Sequence, residues 1–382
     1  MMSEWKVAWE YQPMNFRAFP VQSSHERQAV TFLNNISGDG LRIFLSIRYS
    51  TNTLKIRRAA VCVENGPKLP VTFCGDRELL LKPGEDSCSD PVDVRLTRQG
   101  EITVLLDVPA QSMETACSFF PNECAGVSIT DLDTGEKKSQ AKTGLLRLEE
   151  EQCCFYGFCR AEIRSSDPVS TIVCFGDSIT HRAIWTGPFT EKVYRLRPGG
   201  ASVLNYGVSG NRVLYDESPY TDFGNWFGKR GIRRIAGELA DIPDLTGVIV
   251  LQGINDIYHY LSRICLEDEN PTASMLIDGL KFYAQSIHAR KAKACICTIT
   301  PFNNAGEVWN EEAERIREEV NRWIRETDSY DLVADFDAAI RNPEDATRMI
   351  RAYDSGDGLH PSYEGGRKMA EVFTDEMIRK LL

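Results

Sequence analysis

The stretch "TIVCFGDSITHR" (residues 171–182) runs five β-forming residues into a glycine–aspartate turn and then a serine. Two readings of Ser178 compete. Asp and Ser both cap helices well, so it can be the cap of a following helix; or it is a nucleophile presented where a strand ends. The rest of the chain decides. Beyond residue 170, short apolar runs alternate with longer segments of helical period. The runs are "TIVCF" (171–175), "SVLNY" (202–206), "GVIVL" (247–251), "ACICTI" (294–299) and "LVADF" (332–336). The clearest helical segment is 310–326, where Ala313, Ile316, Val320, Trp323 and Ile324 form one stripe. This alternation predicts an α/β domain over 167–382, with a parallel five-stranded sheet covered on both faces. Ligands of such sheets bind at the carboxyl ends of the strands.

Residues 1–166 follow a different period. In "LRIFLSIRYS" (41–50), Leu41, Ile43, Leu45, Ile47 and Tyr49 share one face and Arg42, Ser46 and Arg48 the other. "PVDVRL" and "EITVLLDVP" repeat the alternation through Val92, Val94 and Leu96, then Ile102, Val104, Leu106 and Val108. Turn signals such as "SGDG" (37–40) and "KPGED" (82–86) separate these runs. The pattern predicts an all-β sandwich. The polar stretch "RSSDPVS" (164–170) marks the change of period.

A length of 382 residues also suits two domains. The formal net charge of -11 argues against binding nucleic acid or an anionic membrane surface, and favours a small-molecule substrate. No run of eighteen apolar residues predicts a membrane span. The N-terminus lacks a basic region followed by an apolar stretch, which predicts a cytoplasmic protein. The twelve cysteines then read as thiols, with Cys174, Cys295 and Cys297 as small core residues of strands.

Each strand end leads into a chemically loaded segment. After the first comes Ser178; after the second, "GVSGN" (207–211) with Gly210; after the third, "QGIND" (252–256) with Asn255. Past the fifth comes "YDSGDGLHP" (353–361) with Asp357 and His360. A serine hydroxyl needs a base to take its proton, and a neutral imidazole is the usual one. The imidazole needs a carboxylate to hold its tautomer. Pro361 disfavours helix at the preceding residue, so His360 sits in a turn, within reach of Asp357. Pro361 is then expected at the first position of a helix carrying Met369, Phe373 and Met377. The Ser178 and Gly210 N–H groups and the Asn255 amide are candidate donors to a developing oxyanion.

"GDSIT", "GVSGN", "GIND" and "DGLHP" resemble, in order and spacing, the four blocks of the SGNH hydrolases, also called GDSL lipases/acylhydrolases. The resemblance covers about residues 170–382. It implies a flavodoxin-like three-layer domain with Ser178 as nucleophile, His360 as base and Asp357 orienting it. Ser178, Gly210 and Asn255 make the implied oxyanion hole. Residues 1–166 resemble the jelly-roll-like N-terminal β-domain of a subgroup. The implied activity is hydrolysis of a short-chain acyl ester, such as acetyl on a sugar. Thioesterase, lysophospholipase and non-catalytic carbohydrate binding are the alternatives.

Other residues carry two readings each. Asp177 is expected to fix the turn, and His181 to lie in a loop or line the pocket. Asp354 is the alternative carboxylate. His259 lines the cleft or lies on the surface. Tyr215, Tyr220, Phe223 and Trp226, in the long segment 211–228, either line the substrate pocket or pack the domains together. Trp309 carries the same two readings. His25 and His288 are expected to be structural or exposed. No metal or cofactor is implied: "DSGDG" fails the calcium-loop pattern and "GVSGNR" the phosphate-loop one. The oligomeric state is open.

Overall fold

In the computed structural model, which describes residues 4–138, 142–143, 152–217, 225–303 and 308–382, two compact units form. One comprises Met1–Ser170 with Thr190–Leu204; the other comprises Thr171–Phe189 with Asn205–Leu382.

Period-two alternation in the first unit produces two large antiparallel sheets beside smaller ones. A six-stranded sheet runs in the order Lys137–Lys138, Ala125–Asp131, Glu26–Asn34, Gly100–Val108, Arg58–Val63, Leu69–Val71. A second sheet places Phe158–Ser165 between Glu4–Glu10 and Gly38–Ser46, and both Asp86–Cys88 and Val92–Leu96 pair with Gly38–Ser46. The inner faces meet through aromatic rings: Trp9 stacks on Phe158 of its own sheet at 5.1 Å and on Phe32 of the other at 5.2 Å. Leu41, Ile43 and Leu45, and Ile102, Val104 and Leu106, are buried as the alternation predicts.

Residues 190–204 join this unit through Asn35. Its buried amide donates to Arg197 O and Ala201 O, each at 3.0 Å, and its carbonyl oxygen accepts the Gly199 N–H at 3.0 Å. Ile36 forms an antiparallel bridge to Gly200.

The second unit is built on a parallel sheet ordered Ala201–Gly207, Ser170–Gly176, Leu245–Leu251, Lys293–Cys297, Leu332–Ala334. In chain order this is 2-1-3-4-5, the flavodoxin-like arrangement, whose direction reverses between its first and third strands. Ser178 and Asn255 follow those two strands. Their position therefore results from topology.

The helix Glu311–Glu326 opens on Asn310, whose side chain accepts the Ala313 N–H at 2.9 Å. Its buried face departs from the apolar stripe. Ala313, Val320 and Ile324 are buried, but Ile316 and Trp323 are half-buried, while Glu314, Arg317 and Asn321 go inside. Arg317 bonds Glu314 and, at 2.6 Å, Asp337. Asn321 accepts the Ile299 N–H at 2.7 Å and donates to Ile299 O at 2.8 Å. Paired in this way, polar groups bury without large loss.

All twelve cysteines are free thiols, and Cys174, Cys295 and Cys297 are fully buried in the parallel strands. No helix among the described residues is long and apolar enough to cross a membrane.

Candidate active site

The strand Ser170–Gly176 meets the short helix Ser178–His181 through Asp177. Asp177 is the cap: its carboxylate accepts the Ile179 N–H at 3.0 Å. Ser178 is thereby released from capping. Gly176 is required by close approach, since a Cβ there would lie 2.4 Å from Leu251 O on the adjacent strand. Burial, reinforced by the Asp256 carboxylate, pushes the Asp177 pKa up to about 7.

Ser178 Oγ lies 2.8 Å from His360 Nε2, and His360 Nδ1 lies 2.6 Å from Asp357 Oδ2. Three residues from two segments of the chain thus form one hydrogen-bond line. Asp357 also accepts the Leu359 N–H at 2.9 Å and the His360 N–H at 2.8 Å through Oδ1. Burial opposes its ionisation, but the bond to His360 and these N–H groups outweigh it and hold the carboxyl well below the usual range. An ionised carboxylate only accepts, so His360 Nδ1 carries the proton and Nε2 presents its lone pair to the serine hydroxyl.

Asp354, the alternative carboxylate, serves the turn that precedes His360. Its Oδ1 accepts the Gly356 and Gly358 N–H groups at 2.8 and 3.0 Å, which shapes the loop. Pro361 does not begin a helix. It closes an isolated bridge with Asp354, and Ser362 caps the helix Tyr363–Glu371 by accepting the Gly365 N–H. Thr374 caps a second helix, Asp375–Leu381. The expected single helix is therefore two, because Ser362 and Thr374 each satisfy an orphan N–H that Pro361 cannot.

Gly210 has φ +73, and a Cβ there would overlap the Phe227 ring at 1.8 Å, so only glycine fits this conformation beside that ring. Asn255 donates to Asn211 O at 3.2 Å, which fixes its amide and leaves its second N–H free to donate elsewhere. Neither the Ser178 nor the Gly210 backbone N–H has an acceptor among the described residues.

Sequence reading missed the frame behind these donors. Asn211 is fully buried; its amide donates to Phe227 O and Lys229 O at 2.7 and 2.8 Å. Its oxygen accepts from Arg234 and Gln252, both at 2.6 Å. Gln252 in turn accepts the Tyr283 hydroxyl at 2.8 Å. Asp256 accepts the Val213 and Leu214 N–H groups at 2.8 and 2.9 Å. The signal was present, since Asn211, Gln252 and Asp256 all stand inside the quoted motifs.

Two histidines lie deeper than expected. His181 is fully buried in the helix, with Nδ1 donating to Gly207 O at 3.0 Å, and burial lowers its pKa to about 4. His259 is 2 % exposed, packs on Phe227 at 4.3 Å between ring centres, and keeps a buried Nδ1 without a partner among the described residues. Burial lowers its pKa to about 3. The Arg212 guanidinium lies 5.2 Å from the Tyr215 ring centre, and Trp226 is buried. Trp309 donates from its indole to Glu314 at 3.3 Å. Tyr220 and Phe223 lie outside the described residues. His25 and His288 pair at the surface with Asp133 and Asp331.

The family model for the GDSL-like lipase/acylhydrolase family matches residues 174–368, half of the chain. The chain belongs to that family. This GDSL-like acylhydrolase is similar, over part of its length, to solved structures of low identity. They include a GDSL-like lipase from Bacteroides thetaiotaomicron (16% identity, 57% of this chain and 93% of that one, TM-score 0.38). TesA is similar at 19% identity, 56% of this chain and 100% of that one, with a TM-score of 0.39. An acetyl xylan esterase from Geobacillus stearothermophilus is similar at 18% identity, 56% and 96%, with a TM-score of 0.40. No curated protein sequence matches this acylhydrolase.

Proposed function

We propose that this chain is a serine ester hydrolase working through an acyl-serine intermediate on short-chain acyl esters, with acetyl on a carbohydrate as the leading substrate class. The hydrogen-bond line Asp357–His360–Ser178 carries the reading. His360 Nε2 takes the hydroxyl proton as Ser178 Oγ bonds the ester carbonyl carbon. The carbonyl oxygen, now negative, receives the Ser178 and Gly210 N–H groups and the Asn255 amide. Collapse expels the alcohol, which leaves with the proton from His360. Water then attacks the acyl-serine by the same route, the acid departs, and Ser178 regains its proton. Asp357 stabilises the transient imidazolium and stays ionised throughout. The net charge of -11 supports an uncharged ester over a substrate bearing phosphates.

A fluorophosphonate probe tests the reading: it should add one adduct, on Ser178, and Ser178→Ala should abolish both the adduct and turnover of p-nitrophenyl acetate. Activity surviving in the alanine variant overturns it. Acetylated sugars, acyl-CoAs and lysolipids assayed side by side then decide the substrate class.

A further inference from the structure

The outward face of the six-stranded sheet carries a hollow that the Ser178 chemistry does not use. Strand register explains how it forms. Asp107 lies opposite Arg27 on one side and Arg58 on the other. Arg27 holds its carboxylate with two bonds, at 2.6 and 2.8 Å, and Arg58 Nε lies 3.7 Å away. The next row on this face pairs Leu105 with Ala60, and Ala60 with Pro70. Small neighbours leave Leu105 at the bottom of a depression, with the long cationic side chains standing around it. The result is a hollow of about 200 Å³ whose lining includes Arg27, Arg58, Lys68, Arg77, Asp107 and Leu105.

Its charge runs against that of the molecule. Four cations face one carboxylate, a local excess of three positive charges, in a chain of net charge -11. Asp107 is already engaged by two arginines, and among the described residues neither Lys68 nor Arg77 has an ion-pair partner. Clustered like charges destabilise the fold unless an anion enters. The outer face of such a sheet is ordinarily polar, so an apolar floor under a cationic rim needs a second reason. A bare inorganic anion satisfies the rim alone. A pyranose ring bearing a carboxylate satisfies both, with its C–H face on Leu105 and Pro70 and its charge on the rim.

We propose that this hollow binds an acidic sugar residue, a uronate, as a site separate from the acyl-serine chemistry. The arginine forks of Arg27 and Arg58 are partly occupied by Asp107, so Lys68 and Arg77 supply the free charge that meets the carboxylate.

Calorimetric titration of the full chain with glucuronate and galacturonate tests this, with glucose, sodium sulfate and inorganic phosphate as the other arms. Saturable uronate binding that weakens with added sodium chloride is expected, with no binding of glucose. Lys68→Glu with Arg77→Glu should lower uronate affinity at least ~10-fold, because two favourable charge contacts become repulsive. Both side chains are exposed and their reversal relieves the cationic crowding, so the double variant should unfold at a temperature no lower than the parent's; each single variant should show a partial loss of affinity. No saturable uronate binding, glucose binding equal to uronate, or unchanged affinity in the charge-reversed protein overturns the proposal. Sulfate or phosphate binding as tightly as uronate overturns it too, since the site is then for bare anions. Turnover of p-nitrophenyl acetate by the double variant separates the two readings. Uronate binding lost in that variant with turnover intact leaves the esterase standing, and uronate binding by a parent protein that does not turn over p-nitrophenyl acetate leaves this site standing.

Discussion

Asp357 takes three hydrogen bonds, two of them from His360, while Asp354, three residues earlier, takes two from glycine N–H groups. Asp357→Asn would turn an amide toward His360 Nδ1 and favour the wrong tautomer. We expect kcat to fall by ~10³–10⁴, with less than a ~10-fold change for Asp354→Asn. A larger loss from the Asp354 variant reverses the assignment. The spacing of Asp357 and His360 was legible because a turn of that length sets both side chains by itself. His259 was not legible, since nothing in "GINDIYHY" says that Phe227 will cover it. Its folded pKa of about 3 lies below the unfolded ~6.5. The unfolded chain therefore binds the extra proton as pH falls, and the stability from neutral His259 is complete above ~6.5 and lost toward 3. His181, at about 4, acts in the same sense. Asp177 and Asp256, raised to about 7 and about 6, act oppositely: their protonated forms favour the fold, and that stability is lost as pH rises through those values. His259→Phe should keep the packing on Phe227, remove one buried unsatisfied nitrogen, and flatten the loss of stability below pH ~6.5. Urea unfolding at a series of pH values checks this, and an unchanged acid slope would rule it out.

At the scale of elements, the parallel strands were legible because strands covered on both faces are continuous apolar runs. All five expected runs overlap a strand of the sheet. Helix faces were read less well. Arg317 and Asn321 look like solvent residues in "EEAERIREEVNRWIRE", and hydrophobicity alone puts them outside. What brings them in lies elsewhere: Asp337 on the helix Phe336–Ile340 and the backbone of Ile299 beyond its strand. Local pattern reports burial by transfer to an apolar medium, whereas these side chains are buried by pairing. The same blindness hid Asn211 and Arg234 behind the proposed oxyanion donors. The stop at Glu371 and restart at Asp375 was missed because apolar spacing carried through while Thr374 capped a new helix.

At the scale of the molecule, the change of period near residue 165 reads as a boundary, yet the units exchange a segment. Residues 190–204, the later part of the helix Thr186–Leu196 and the start of the strand Ala201–Gly207, pack with Met1–Ser170. A fragment of residues 171–382 therefore loses the three bonds to Asn35 and the bridge at Ile36. It also leaves Ala201–Gly207, which has one neighbour in the sheet, without that support. We expect the fragment to aggregate or to unfold at a markedly lower temperature than the whole chain. Light scattering and a thermal melt of both proteins measure this. A soluble fragment with the parent's melting temperature and turnover would show that the exchanged segment holds itself.

The exchanged segment also sets a schedule for synthesis on the ribosome. The chain emerges N-terminus first, and domains tend to fold as units as they emerge. The first unit here lacks its last piece until residue 204 has left the tunnel, by which time the strand Ser170–Gly176 and Ser178 are already out. The first strand of the parallel sheet must therefore wait, unpaired, while its predecessor is completed by residues that come after it. A pause in translation once residue 204 has cleared the tunnel would favour correct assembly. A pause that leaves the chain outside the tunnel only as far as residues 176–190 would hold an apolar strand exposed at its most vulnerable point.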